Sequence, residues 1–313
     1  MSPAELPPQV RDRTVAKART LIEALPFMQE HHDKVIVVKV GGAAMERAPL
    51  SSAFAEDVSL LQHAGIHPVV VHGGGPQVSE VSERLGLEPR FVDGVRVTDE
   101  ATLEVATMVL AGSLNTQIVS KLVAGDVPAV GLSGVDGGLT LAERRAEPDL
   151  GLVGEIVRVD GELLRTLISK GFVPVIASIA AGLDGATYNV NADVMAAELA
   201  VGLSAEKLVY MNDVPGVIGP GGELLAELGV EEVLDLLDHP DAVGGGMIPK
   251  LESAVRALKA GVPRVHLLDG RVEHALVLEL FTPEGVGTMI ALGDPGLANA
   301  EGRAIVPPPG AAQ

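Results

Sequence analysis

The sequence predicts an α/β fold: a three-layer sandwich on a mainly parallel, open sheet. Three observations lead there. Short apolar, β-branched runs recur at 34–40, 67–72, 127–132, 173–177, 208–211 and 265–268. Segments with apolar residues at helical spacing lie between them. Strand, helix and strand at this spacing form βαβ units, which make the strands parallel and bury them on both faces. At 313 residues, 47% of them hydrophobic, the chain can bury a large core and divide into two lobes.

The elements follow in order. Residues 1–8 carry three prolines and are expected to be mobile. Val15, Ala18, Leu21, Ile22 and Leu25 recur at helical spacing, and Pro26 should kink or end that helix. The helix precedes the first strand, so it is an addition to the central fold. It can pack on its own subunit or pair with another. The strand 34–40 runs into Gly41-Gly42, and 50–64 carries Leu50, Phe54, Val58 and Leu61 on a helical face. The strand 67–72 runs into Gly73-Gly74-Gly75, with Pro76 suited to the first turn of a helix. Asp93-Gly94 marks a hairpin within 90–98. Thr98 is placed as the N-cap of a long helix reaching about 122, with Glu100 and Glu104 near its positive end. Residues 133–150 read as loop with short hairpins, 152–159 as a further strand, and 161–170 as a helix. Residues 188–193 lead into a helix ending near 201. Helices are expected at 230–238, 249–260 and 271–280, a closing strand at 286–290, and a disordered tail over 293–313.

Composition narrows the function classes. A formal net charge of −19 disfavours nucleic acid and anionic membranes as partners. An anionic small substrate would need a local cluster of Lys, Arg and backbone N–H donors. Aromatic residues are 2% and tryptophan is absent, which removes the stacking platforms of single-strand binders. No cysteine is present, so there is no disulfide framework, thiolate metal site or cysteine nucleophile. No apolar run reaches the ~18 residues of a membrane span. The first residues lack signal-peptide features, so a cytoplasmic enzyme is expected.

Four stretches carry chemistry. Lys39 stands at the end of the first buried strand, before Gly41 and Gly42. Such a lysine beside exposed N–H groups suits an anion, although a snorkelling lysine at an ordinary turn fits too. Gly74 and Gly75 follow the neighbouring strand, and both turns would open at the carboxyl edge of the sheet, where ligands of open α/β sheets bind. Neither turn matches the dinucleotide fingerprint or the P-loop. In Asn189-Val190-Asn191-Ala192-Asp193, two amides and a carboxylate at alternate positions would share one side of an extended segment; helix capping accounts for one of them. Lys250 ends a glycine loop at a helix start, where it opposes the helix dipole unless an anion offsets it.

The ordered set VVKVGG, VHGGG, DGVRVT, NVNAD, DVPGV and GGMIPK resembles the amino acid kinase family, most closely its acetylglutamate-phosphorylating branch, over about residues 12–291. The resemblance implies an amino acid kinase-like fold. Residues 1–31 would be an N-terminal extension, 32–190 the amino-acid-substrate lobe and 191–292 the nucleotide-binding lobe. It implies transfer of the ATP phosphoryl group to the side-chain carboxylate of N-acetyl-L-glutamate. Lys39 and Lys250 would stabilise the moving phosphoryl group, and Asp193 would hold both. Gly41, Gly42, Gly74 and Gly75 would offer N–H groups, Arg96 and Asn189 would grip the substrate carboxylate, and Asn191 would lie beside the reacting groups. Asp213, Gly216, Gly246 and Met247 would line the nucleotide site, with magnesium carried on the phosphates. His72 invites a catalytic role, but a carboxylate nucleophile has no proton to remove, so a structural role is expected. An aminoadipyl kinase and a non-catalytic arginine- or nucleotide-sensing subunit are the competing readings. The extra helix and the stretch 274–290 resemble the arginine-inhibited, hexameric type, a trimer of dimers. This implies an arginine site near His274, Glu279 and Gly287.

Overall fold

The computed structural model describes residues 8–41, 48–92, 94–219, 221–239, 243–244, 246–283 and 285–293. The mobile segment expected at the N-terminus falls, apart from Pro8, outside these residues, as do Gly42, Asp93 and, apart from Gly293, the expected tail.

Helix α1 (Pro8–His31) comes first and runs through Pro26 instead of ending there. A proline inside a helix removes one N–H and crowds the turn before it, but the residues beyond it are anchored. Phe27 and Met28 pack on the core, His31 is buried, and Glu30 pairs with Arg264 at 3.0 Å. The earlier half leaves Val15, Leu21, Ile22 and Leu25 exposed.

Strand β1 (Val35–Val40), α2 (Ala48–His63), β2 (His67–His72) and α3 (Gly75–Arg84) form the first βαβ unit and its onward helix, as the apolar runs require. The hairpin β3 (Phe91–Val92) and β4 (Val95–Arg96) follows. Helix α4 (Glu100–Thr107) is capped by Asp99, one residue after the expected Thr98. The Asp99 carboxylate accepts from the Thr102 N–H at 2.8 Å, whereas Thr98 is fully buried and bridges Gly151. A π-helical stretch, Met108–Leu114, joins α4 to α5 (Asn115–Ala124).

Strand β5 (Ala129–Ser133) precedes the region expected to be loop with short hairpins, where β6 (Thr140–Arg144) is found. Then come β7 (Gly154–Val159), α6 (Glu162–Ser169), β8 (Val173–Ala177), β9 (Ile179–Gly182) and β10 (Thr187–Asn189). β6 and β9 are short and carry weak local signals; each pairs with the next strand in the chain, β6 with β7 and β9 with β10, and a short β6–β9 ladder joins the two hairpins. The remaining elements are α7 (Ala192–Gly202), β11 (Lys207–Asn212), β12 (Glu227–Gly229), α8 (Val230–Asp238), α9 (Ile248–Lys259), β13 (Arg264–Asp269), α10 (Ala275–Phe281) and β14 (Thr288–Ala291). Helix α10 starts four residues later than expected, because His274 before it is in the left-handed conformation (φ 57°) and breaks the helical run.

Among the described residues the main sheet has the order β12-β14-β13-β11-β1-β2-β8-β5. Its ladders are parallel except β13–β14. A smaller sheet, β10-β9-β6-β7, stands beside it. In β1 the residues alternate between layers: Ile36, Val38 and Val40 pack toward α2 and α5, and Val37 packs toward α7 and α9. Period-2 alternation therefore puts Lys39 on the α7 and α9 side. The strand order also reverses direction at β1, which makes a crevice at the carboxyl ends of β1, β2 and β11.

Replacing Asp99 with alanine is expected to lower the unfolding free energy by about 1 kcal/mol, since it removes a helix N-cap. Urea denaturation followed by circular dichroism measures this.

Candidate active site

Three elements bring charged groups into the crevice. Lys39 is the penultimate residue of β1, Asp193 lies in the first turn of α7, and Lys250 lies in the first turn of α9. The Lys39 ammonium is 2.8 Å from Oδ1 of Asp193, and the Lys250 ammonium is 2.9 Å from Oδ2. All three side chains are largely buried. Burial alone would raise the Asp193 pKa, but the two ammonium groups outweigh it and hold the carboxylate below its ordinary range. The local net charge is thus one positive unit inside a site shielded from water.

The expectation of one extended segment at 189–193 is corrected. Asn189 ends β10, while Asn191 caps α7, accepting from the Asp193 N–H at 2.8 Å and the Val194 N–H at 3.4 Å. Capping turns the chain so that Asp193 points back over β1 rather than along it.

A cavity of about 290 Å³ opens beside this triad, lined by Lys39, Gly41, Gly73, Gly74, Gly75, Arg96, Asn189, Asn191 and Asp193. Residues from four separate motifs therefore converge. Gly74 caps α3 with no side-chain cap of its own. A Cβ there would lie 2.5 Å from the Leu114 side-chain end and 2.7 Å from that of Leu110, so a larger residue would have to displace both leucines. The start of α3 offers backbone N–H groups and the positive end of a dipole to an anion. Arg96 donates through Nη2 to the Gly75 carbonyl at 2.8 Å and to Ser79 Oγ at 2.7 Å, and it stacks on Phe91 at 4.7 Å. Its buried Nη1 has no hydrogen-bond partner among the described residues, which leaves a donor for a carboxylate. Asn189 donates to Thr98 Oγ1 at 3.2 Å.

A larger cavity, about 950 Å³, shares Asn191 and Asp193 with the first and adds Gly246, Pro249 and Lys250. Of the expected nucleotide set, Gly246 borders it. Met247, the N-cap of α9, packs against the core. Asp213 is exposed after β11, and Gly216 packs where a side chain would run into Thr288; neither borders the two cavities. His72 is buried under the glycine turn. Its Nδ1–H donates to the Gly73 carbonyl at 3.0 Å, so Nε2 accepts from Asn115 Nδ2 at 3.0 Å. Burial holds its pKa down to about 4, so it stays neutral.

A third cavity, about 60 Å³, lies between the end of α1 and the β13–β14 corner. Glu279 and Gly287 line it, with the Glu279 carboxylate accepting from the N–H groups of Val286 at 2.7 Å and Gly287 at 3.2 Å. His274 does not line it. Its Nδ1 instead lies 2.7 Å from the buried Asp57 of α2, because the left-handed turn before α10 swings the ring away. The histidines in the cavity wall are His31 and His266, the latter 2.7 Å from Glu279 and 3.3 Å from Lys207. Sequence reading missed His266, Lys207, Arg264 and His31. The available signal was a basic residue inside each of two apolar strands, β11 and β13. Burial pushes His266 and His31 down to about 4 and Lys207 down to about 8.

Asp193→Asn leaves two partly buried ammonium groups facing a neutral amide, so stability should fall by about 3 kcal/mol or more in urea. The native pKa of Asp193 lies below its unfolded value of about 3.9, so its contribution is complete above that pH and is lost as pH falls through the native value. The variant should therefore lose less stability on acidification than the parent. Parallel denaturation series from neutral to acid pH check both expectations.

The model of the amino acid kinase family matches residues 34–269. The chain is 50% identical to the acetylglutamate kinase of Symbiobacterium thermophilum over 285 residues, covering 88% of this chain and 97% of that one. It is 47% identical to the acetylglutamate kinase of Aquifex aeolicus, covering 89% and 98%. A solved structure of N-acetylglutamate synthase from Neisseria gonorrhoeae is similar with a TM-score of 0.80 at 30% identity, covering 88% of this chain and 64% of that longer one. Carbamate kinase from Giardia lamblia bound to AMP-PNP shares the fold, with a TM-score of 0.62 at 17% identity, 83% of this chain and 99% of that one. The chain belongs to the amino acid kinase family.

Proposed function

We propose that this chain phosphorylates the side-chain carboxylate of N-acetyl-L-glutamate with ATP, giving an acyl phosphate and ADP in arginine biosynthesis. The observation that carries the reading is the lysine–aspartate–lysine triad beside an uncapped helix start. Identity near one half to acetylglutamate kinases, along almost their whole length, supports this substrate.

The chemistry follows from charge. A substrate carboxylate with a pKa of about 4.3 is already ionised at neutral pH and needs no general base. The obstacle is repulsion between that anion and the ATP phosphates. Lys39 and Lys250 offset it and stabilise charge on the transferring phosphoryl oxygens, and Asp193 keeps both ammonium groups in place. N–H groups of Gly41, Gly42, Gly74 and Gly75 complete the cradle. Arg96, through its free Nη1, and Asn189 hold the α-carboxylate, and Asn191 lies beside the reacting groups. ATP sits toward Asp213, Gly216, Gly246 and Met247. Both Asp193 oxygens are engaged by lysines, so magnesium is assigned to the ATP phosphates, where it supplies further positive charge. Residues 32–190 form the substrate lobe and 191–292 the nucleotide lobe.

No helix among the described residues is long and apolar enough to cross a membrane. We assign the enzyme to the cytoplasm, without nucleic-acid or membrane partners. The exposed apolar residues of α1 support its pairing with another subunit, as a hexamer built from three dimers. Arginine is assigned to the third cavity as a feedback inhibitor, with Glu279 and the backbone near Gly287 facing its cationic groups.

Lys39→Ala and Lys250→Ala are each expected to lower turnover about 100-fold or more, the cost of one lost transition-state donor. Circular dichroism should stay native. An ATP-consumption assay with N-acetylglutamate, glutamate and aminoadipate identifies the acceptor; failure with N-acetylglutamate rejects the reading. Arginine should inhibit the parent and not Glu279→Gln, and an unchanged rate at millimolar arginine would reject the effector site.

A further inference from the structure

The catalytic triad spans two helix starts, and something must hold those starts at a fixed spacing. We propose that Tyr210 and Ser253 are positioning residues that bridge the backbones of Asp193 and Lys250 and so set the distance between the two. The inference rests on the phosphoryl-transfer reading above.

Tyr210 stands beside Lys39 in the β1–β11 register, so its side chain lies on the same side of the sheet, beneath α7 and α9. It is fully buried. Its hydroxyl is 3.2 Å from the Asp193 carbonyl oxygen and 2.9 Å from Ser253 Oγ. Ser253, also fully buried, is 2.8 Å from the Lys250 carbonyl oxygen. The result is a chain of three contacts within hydrogen-bond distance: Asp193 carbonyl, Tyr210 hydroxyl, Ser253 hydroxyl, Lys250 carbonyl. Both carbonyls belong to residues whose side chains form the triad.

Two hydroxyl protons serve three gaps, so the hydroxyls can always bond to each other and to one of the carbonyls. Burial, with the Asp193 carboxylate nearby, drives the phenol pKa far up, which keeps the proton on the oxygen. A hydroxyl in so apolar a layer is costly unless it is bonded. Phenylalanine and alanine would fill the same space without that cost. Neither residue lines the two cavities at the triad, so any effect on turnover passes through Asp193 and Lys250. Donors aimed at a transition state act through preorganisation, so loosening them should lower kcat while ground-state binding stays intact.

The test compares the full-length wild type with Tyr210→Phe, Ser253→Ala and the double variant. Each single variant is expected to lose about tenfold in kcat, with KM for ATP and N-acetylglutamate within twofold. The double variant should be no worse than the worse single one, because either change breaks the same bridge. Val255→Ala, a cavity-forming change on the same helix that leaves the bridge alone, should lower the melting temperature but leave kcat within twofold. If the wild type turns over and both hydroxyl variants keep kcat within twofold, the inference is overturned. If the wild type turns over no acceptor, the functional reading has failed, and a crystal structure of Tyr210→Phe decides the bridge instead. A Lys250–Asp193 separation beyond hydrogen-bond reach then supports it, and an unchanged one overturns it.

Discussion

Everything at the crevice depends on one carboxylate lying between two ammonium groups. Without Asp193, Lys39 and Lys250 would repel each other at close range in a site where water screens poorly. With it, two lysines from opposite sides of the chain stand together and still leave one net positive charge. The arrangement costs desolvation, which burial of Asp193 makes plain. It is kept because it turns two mobile side chains into a fixed, anion-facing surface.

The sheet makes that arrangement possible. β1 lies between β2 and β11, and the strand order turns outward in both directions from it. The ends of neighbouring strands therefore diverge and leave space that no crossover helix covers. The start of α3 enters this space from one side, and the starts of α7 and α9 enter from the other. Three helix N-termini directed at one volume supply a positive field before any side chain is counted. With an overall charge of −19, such local positive groups must offset the field of the rest of the chain.

The third cavity is joined to the rest through α10. Glu279, on that helix, is fixed by His266 of β13 and by the N–H groups of Val286 and Gly287. The start of the same helix is held by Asp57 of α2, whose carboxylate takes hydrogen bonds from His274 and from the backbone of Val277 and Leu276. The last turn of α1 closes the cavity with Phe27, Glu30 and His31. One short helix thus contacts α1, strand β13 and the helix that follows β1.

The strands and most helices were legible in the sequence because each buried strand of a parallel sheet is a continuous apolar run, and each crossover helix repeats at 3.6 residues. Lys39, the glycine turns and Lys250 were legible as anion-directed chemistry, since a cation interrupting an apolar strand or starting a helix is out of place locally; the role of Asp193 came only from the family resemblance. What remained hidden was non-local. The short β6–β9 ladder joins two hairpins that lie far apart in the chain. The helix α1 survives Pro26 because its end docks on the body. His266, rather than His274, reaches the third cavity because a left-handed turn precedes α10 and His274 pairs with Asp57. Local propensity and patterning determined which segments form and which residues are chemically conspicuous. Only tertiary packing decided which of those residues meet, because side chains separated by many residues converge only when the sheet order and helix starts are set.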